Sequence, residues 1–144
     1  MFKQILWATD GSEHADRALE LAKSLASQNG AKLVAFHSVE REGGAGSRGA
    51  FTEDANEGEH QGKLRAQVKE LSEQGVQAEL KMVDGGPGGP AHNIADAAKE
   101  IGADLIVVGT RGHTAFHGLL LGSVTQRLLH IASCPVLAVP PEHK

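Results

Sequence analysis

Short apolar runs alternate with helix-period segments along the chain, and this alternation limits the possible folds more than any other feature. Ile5-Leu6-Trp7-Ala8-Thr9 reads as a buried strand that ends at the turn Asp10-Gly11-Ser12. From Glu13, residues Ala15, Ala18, Leu19, Ala22, Leu25 and Ala26 keep a helical period, with Ser12 as N-cap and Asn29-Gly30 as the stop. Leu33 to Val39 is a second strand without clean alternation, as expected where helices cover both faces of a parallel sheet. Leu64, Val68 and Leu71 mark a second helix closed by Gly75, and Ala78 to Val83 a third strand, with Lys81 tolerated near its edge. Pro90 suits the first turn of a third helix, which carries Ile94, Ala97, Ala98 and Ile101 on one face and stops at Gly102. Leu105 to Val108 is the fourth strand, Val124, Leu128 and Ile131 mark the fourth helix, and Val136 to Val139 between Pro135 and Pro140 is the fifth strand. Such a chain predicts one open, doubly wound, mostly parallel α/β sheet with helices on both faces. Its ligands belong outside the C-terminal ends of the strands, at a topological switch point. At 144 residues it is read as a single domain, 1–144, large enough for a core without staples.

Two stretches carry no period. Glu42 to Gly49 is glycine-rich, and either this loop is functional or the second helix starts earlier than its apolar period shows. Gly85 to Gly89, before Pro90, either folds over a ligand or is a solvated insertion.

Charge and cysteine content exclude several functions. The formal net charge is −4 with acidic and basic residues interspersed, which argues against a nucleic-acid or anionic-membrane surface, so any phosphate binding must be local. The single Cys134 precludes an intramolecular disulfide, and there is no apolar run of membrane-spanning length and no signal-peptide pattern. The expected location is the cytoplasm.

Chemistry concentrates where the fourth strand ends. Gly109-Thr110-Arg111-Gly112 is followed by nine residues and then Gly122-Ser123, which opens the last helix. Strand, glycine turn, loop, second glycine turn and helix leave backbone N–H groups free at a helix start, where the dipole also favours an anion. Glycine allows positive φ and close backbone approach, and the Ser123 hydroxyl adds a donor. Glycine is 18 of 144 residues, so three glycines at fixed spacing followed by Ser or Thr arise by chance only about 0.02 times in such a chain. The competing reading is ordinary turn and cap glycines.

Other residues carry two readings each. Asp10 ends a strand at the same edge and suits a hydrogen bond from a ribose hydroxyl or adenine amino group, or it forms an Asx turn. Arg111 faces phosphate or solvent. His113 and His117 stand four apart like a metal pair but lack a helix signature, a central Glu and a third ligand, so they are read as solvated and no metal site is assigned. Trp7, Phe36 and Met82 are read as core, and Cys134 as an inert thiol.

Thr9-Asp10-Gly11-Ser12-Glu13, Gly89-Pro90-Ala91 and Gly109-x2-Gly112-x9-Gly122-Ser123-Val124-Thr125 together resemble the universal stress protein family, through to Pro135-Val136-Leu137-Ala138-Val139. The complete glycine pattern resembles the family's ATP-binding branch. The resemblance implies an adenine nucleotide alpha hydrolase-like sheet in strand order 3-2-1-4-5 and a homodimer through 136–139. It implies ATP as the ligand, with phosphates at Gly109, Gly112, Gly122 and Ser123 and with Asp10 on the ribose or adenine edge. The full nucleotide-binding set it implies adds Ala8, Thr9, Ser38, Val39, Val108, Arg111, His113, Val124 and Thr125. Where the family often has an apolar residue against adenine, this chain has Ser38 followed by Val39. The sequence does not choose between Mg²⁺, Mn²⁺ and no metal beside the phosphates.

The expected function is therefore nucleotide-dependent regulation in a stress response. The alternatives are a slow ATP-hydrolysing or adenylating enzyme and a nucleotide-free structural dimerisation module. Against an enzyme, the chain has no Gly-x4-Gly-Lys-[Ser/Thr] loop, no Ser-Gly-Gly-x-Asp-Ser loop and no base with a partner fixed by spacing.

Overall fold

The computed structural model describes residues 1–39, 41–42, 52–53, 57–84, 88–110 and 122–140. In chain order the elements are β1 (Gln4–Ala8), α1 (Glu13–Asn29), β2 (Lys32–Val39), β3 (Arg41–Glu42), β4 (Thr52–Glu53), α2 (Glu57–Glu73), β5 (Ala78–Asp84), α3 (Gly89–Ile101), β6 (Leu105–Gly109), α4 (Ser123–Ile131) and β7 (Val136–Val139). Five strands form one parallel sheet in the order β5-β2-β1-β6-β7, which is the expected 3-2-1-4-5. The short β3 and β4 pair antiparallel as a separate ribbon, which the sequence did not show.

The alternation of side chains along β1 divides the core. Ile5 and Trp7 point to one face, where they pack with Ala15, Ala18, Leu19 and Ala22 of α1 and Leu64 and Leu71 of α2. Leu6 and Ala8 point to the other face, against Ala91, Ile94, Ala97 and Ala98 of α3 and Leu128 of α4. Central strands buried on both faces explain the unbroken apolar runs of β1, β2 and β6. Trp7 and Phe36 are fully buried, whereas Met82 is only half-buried because β5 is an edge strand.

Local chemistry fixes the helix ends. Ser12 Oγ accepts the Ala15 N–H at 3.3 Å, Glu13 and Asp16 sit in the positive first turn, and Gly30 closes α1 in the left-handed region with φ 63°. Pro90 lies in the first turn of α3, where a missing N–H costs nothing. The open question over the second helix is resolved in favour of an early start, at Glu57. Its first two turns bury no apolar residue before Leu64, only the carboxylate of Glu57, so hydrophobic period could not reveal them. The glycine-rich stretches 43–49 and 85–87 lie outside the described residues.

The two sheet edges differ in character. On β5, Glu79 pairs with Lys32 at 2.7 Å and Lys81 with Glu100 of α3 at 3.0 Å, a charged edge that resists pairing with another chain. The other edge, β7, is the wholly apolar Val136-Leu137-Ala138-Val139.

Candidate functional site

The parallel pairing of β1 with β6 runs through Trp7 opposite Val107, so Thr9-Asp10 and Gly109-Thr110 leave the two central strands at the same level. From there the chain turns to opposite faces, since α1 packs on one side of the sheet and α4 on the other. In open sheets of this kind a crevice forms where neighbouring strands send their connections apart, and that switch point is where such sheets take ligands.

One lip is the β1–α1 turn. The Thr9 N–H donates to the Phe36 carbonyl at 3.0 Å, the Gly11 N–H to Thr9 Oγ1 at 3.0 Å, and the Ser12 N–H to Asp10 Oδ1 at 3.0 Å. Asp10 therefore does form an Asx turn; the bond through Oδ1 orients its carboxylate, and the two readings of this residue are compatible. Gly11 has φ 83°, and a Cβ there would stand 2.7 Å from Cδ2 of His60, so both backbone conformation and space require glycine.

The other lip joins the end of β6 to the start of α4. The Thr125 hydroxyl donates to the Gly109 carbonyl at 2.7 Å, the Gly122 N–H donates to the Thr110 carbonyl, and the Thr110 N–H donates to Val139 at 3.0 Å. Gly122 is the N-cap of α4 and offers no side chain to the N–H groups of the first turn. Its backbone is extended, φ −68° and ψ 157°, which corrects the expectation that this glycine supplies a positive φ. Thr125 is buried and its hydroxyl is committed to Gly109, so it shapes the turn from within.

The remaining expected site residues divide three ways. Ala8 and Val108 have side chains in the core beneath α3 and α4, and Val124 packs against the same cluster. Ser38 accepts a hydrogen bond from Asn93 Nδ2 of α3 at 3.0 Å, and Val39 is buried. Arg111, Gly112, His113 and His117 lie outside the described residues. Among the described residues no group of three His, Cys, Asp or Glu side chains is arranged to hold a metal ion, and no helix is long and apolar enough to cross a membrane. The half-buried Cys134 thiol is pushed up in pKa, first by burial and second by the Asp104 charge, which keeps it protonated and unreactive at neutral pH.

The universal stress protein family matches residues 1–140. This chain belongs to that family. A universal stress protein of Thermus aquaticus is 41% identical over 140 residues, covering 96% of this chain and 99% of the relative. The solved structure of MJ0577, a universal stress protein of Methanocaldococcus jannaschii, superposes with a TM-score of 0.80 at 26% identity, covering 100% of this chain and 99% of that one. A universal stress protein of Archaeoglobus fulgidus, solved in complex with dAMP, superposes with a TM-score of 0.69 at 26% identity, covering 96% and 97%. Family members of this architecture thus include one that holds an adenine nucleotide.

Sequence reasoning missed a cluster behind the Asp10 lip. His37 and Glu57 are both buried and lie 2.9 Å apart, and Lys63 Nζ reaches the Gly11 carbonyl at 3.1 Å and Asp16 Oδ2 at 2.6 Å. The available signal was an ionisable residue in the middle of an apolar strand, which demands a buried partner. Nothing local to Glu57 marked it as that partner.

Proposed function

We propose that the chain binds ATP in the crevice between β1 and β6 and acts as a nucleotide-dependent regulatory protein. The observation that carries this reading is the junction of β6 with α4. Thr125 and Gly122 bind the Gly109 and Thr110 carbonyls, and this holds a helix start without a side-chain cap at the level of Asp10. A helix start in that condition favours a phosphate, through both its N–H groups and its dipole. Gly109, Gly122 and Ser123, with Gly112, would hold the phosphates, and Asp10 would accept from the ribose or the adenine edge. The dAMP complex of the Archaeoglobus fulgidus relative supports an adenine nucleotide as ligand. Denaturing the purified protein and identifying the released small molecule by mass is the first test, with calorimetric titration of ATP as the second. Release of an adenine nucleotide or micromolar binding supports the reading; no nucleotide released and no heat at millimolar ATP overturns it.

Hydrolysis of bound ATP is expected to be absent or far below the roughly 10 s⁻¹ of a median enzyme, because no Walker lysine and no base fixed by spacing is present. A nucleotide held without turnover suits a cytoplasmic sensor. Phosphate release by the purified protein, with contaminating ATPases excluded, measures this; multiple turnovers per second would move the assignment to an enzyme.

The contrast between the two sheet edges favours a homodimer through β7. Pairing Val136–Val139 with a second copy would remove an apolar edge that otherwise invites aggregation, while Pro135 and Pro140 limit the ladder. Light scattering at micromolar concentration is expected to give about twice the 15.1 kDa chain mass, and a monomer mass would rule out this edge as an interface.

A further inference from the structure

We propose that His37 is a positioning residue for the Asp10 lip, its Nδ1–H holding the Thr9 carbonyl while Glu57 of α2 fixes which ring nitrogen carries that proton. This extends the nucleotide reading above, since it takes Asp10 as a ligand-facing group.

Hydrogen-bond capacity decides the ring's state. His37 Nδ1 lies 3.0 Å from the Thr9 carbonyl oxygen, which can only accept, so Nδ1 must donate. Nε2 lies 2.9 and 3.0 Å from the two carboxylate oxygens of Glu57. If Glu57 is ionised, Nε2 carries a proton and the pair is imidazolium and carboxylate; if Glu57 is protonated, Nε2 accepts from it. One proton lies between Nε2 and the carboxyl group in either state, and Nδ1–H is kept in both. Remove the carboxyl group and the opposite tautomer becomes available, with a lone pair facing the Thr9 carbonyl.

The consequence falls on Asp10 through the backbone. Thr9 is held from β2 through both of its peptides, its N–H by the Phe36 carbonyl and its C=O by His37, and that C=O is in the peptide that joins Asp10. The same face of α2 bears on the lip twice more. His60 fills the space beside Gly11, and Lys63 binds the Gly11 carbonyl. Glu57, His60 and Lys63 recur every three residues, which puts them along one side of the helix. Among the described residues, the charged and titratable neighbours of the pair include His60, with ring centroid 6.4 Å from that of His37, then Asp10 on the lip and Lys63 with its partner Asp16 of α1; the Gln61 amide also donates to Glu57 Oε2.

The test has one arm that needs no ligand and one that does. Nitrogen-15 spectra of the histidine rings in the parent protein, from about pH 6 to 8, are expected to show His37 protonated at Nδ1, and a ring protonated only at Nε2 overturns the proposal. In the second arm, His37→Asn puts an amide nitrogen near the place of Nδ1, and His37→Gln puts one near that of Nε2. Calorimetry is expected to find ATP affinity within about threefold of the parent for His37→Asn and at least about tenfold weaker for His37→Gln, with urea unfolding recording the stability of each. Equal weakening, or weakening that follows stability alone, shows a merely structural histidine and overturns the proposal. Should either variant fail to fold, Glu57→Gln decides. Its amide can donate to Nε2, so it is expected to keep both Nδ1–H and parent-like affinity; loss of Nδ1–H in this variant counts against us. A parent that binds no ATP overturns the nucleotide reading instead, and the ring spectra still decide whether His37 holds Thr9.

Discussion

Replacing Gly122 with valine is expected to abolish ATP binding while the chain stays folded. The extended backbone at this position, φ −68° and ψ 157°, is one that a β-branched residue adopts readily, so the substitution carries no backbone strain of its own. What changes is the N-cap of α4. A valine side chain would occupy the approach to the Ser123 and Val124 N–H groups, where Gly122 now offers none. A micromolar ligand is held by about 8 kcal/mol, and losing two or three charge-assisted hydrogen bonds at roughly 1.5 to 3 kcal/mol each removes most of that. Ser123→Ala deletes one hydroxyl and keeps the backbone cradle, so about tenfold weaker binding is expected, with Asp10→Ala between the two. Titration calorimetry on all three variants, with circular dichroism as the folding control, measures this. A folded Gly122→Val protein that binds ATP like the parent would put the phosphates elsewhere.

Trp7→Ala should be the most costly single change to stability. The indole is completely buried in the core beneath α1, and its Nε1–H donates to the Ala15 carbonyl at 2.9 Å. Truncation leaves a large cavity and removes the indole's hydrogen bond to the Ala15 carbonyl, for an expected loss of about 3–5 kcal/mol, a large share of the roughly 5–15 kcal/mol that holds a domain together. Urea unfolding followed by circular dichroism reads the loss, and a change under 1 kcal/mol on that scale would mean the site collapses around the gap. Trp7 lies two residues before Thr9 and its hydrogen bond anchors the start of α1, so the Asp10 lip should loosen along with the core.

Which parts of this molecule were legible in the sequence follows from the range of the interactions involved. The helix starts and stops at Ser12, Gly30, Gly75, Pro90 and Gly102 could be read directly, because capping and chain reversal use groups a few residues apart. The strands could be read because burial on both faces leaves an uninterrupted apolar run. Five such strands separated by helices then restrict the chain to a parallel sheet with a switch point. The glycine spacing between β6 and α4, on which the family resemblance rests, was local too. The early start of α2 at Glu57 was hidden, because polar contacts and not an apolar period hold its first turns.

The sequence by itself determined the fold class and, through the family resemblance, the order of the five strands. Only the tertiary structure decided that His37 meets Glu57, that Asn93 meets Ser38, that Thr125 closes on Gly109, and that Gly122 is extended. Each of these pairings joins residues 16 to 55 positions apart. A buried polar group must find a partner, but the partner's identity depends on which helix packs over which strand, and that is set by the whole core at once.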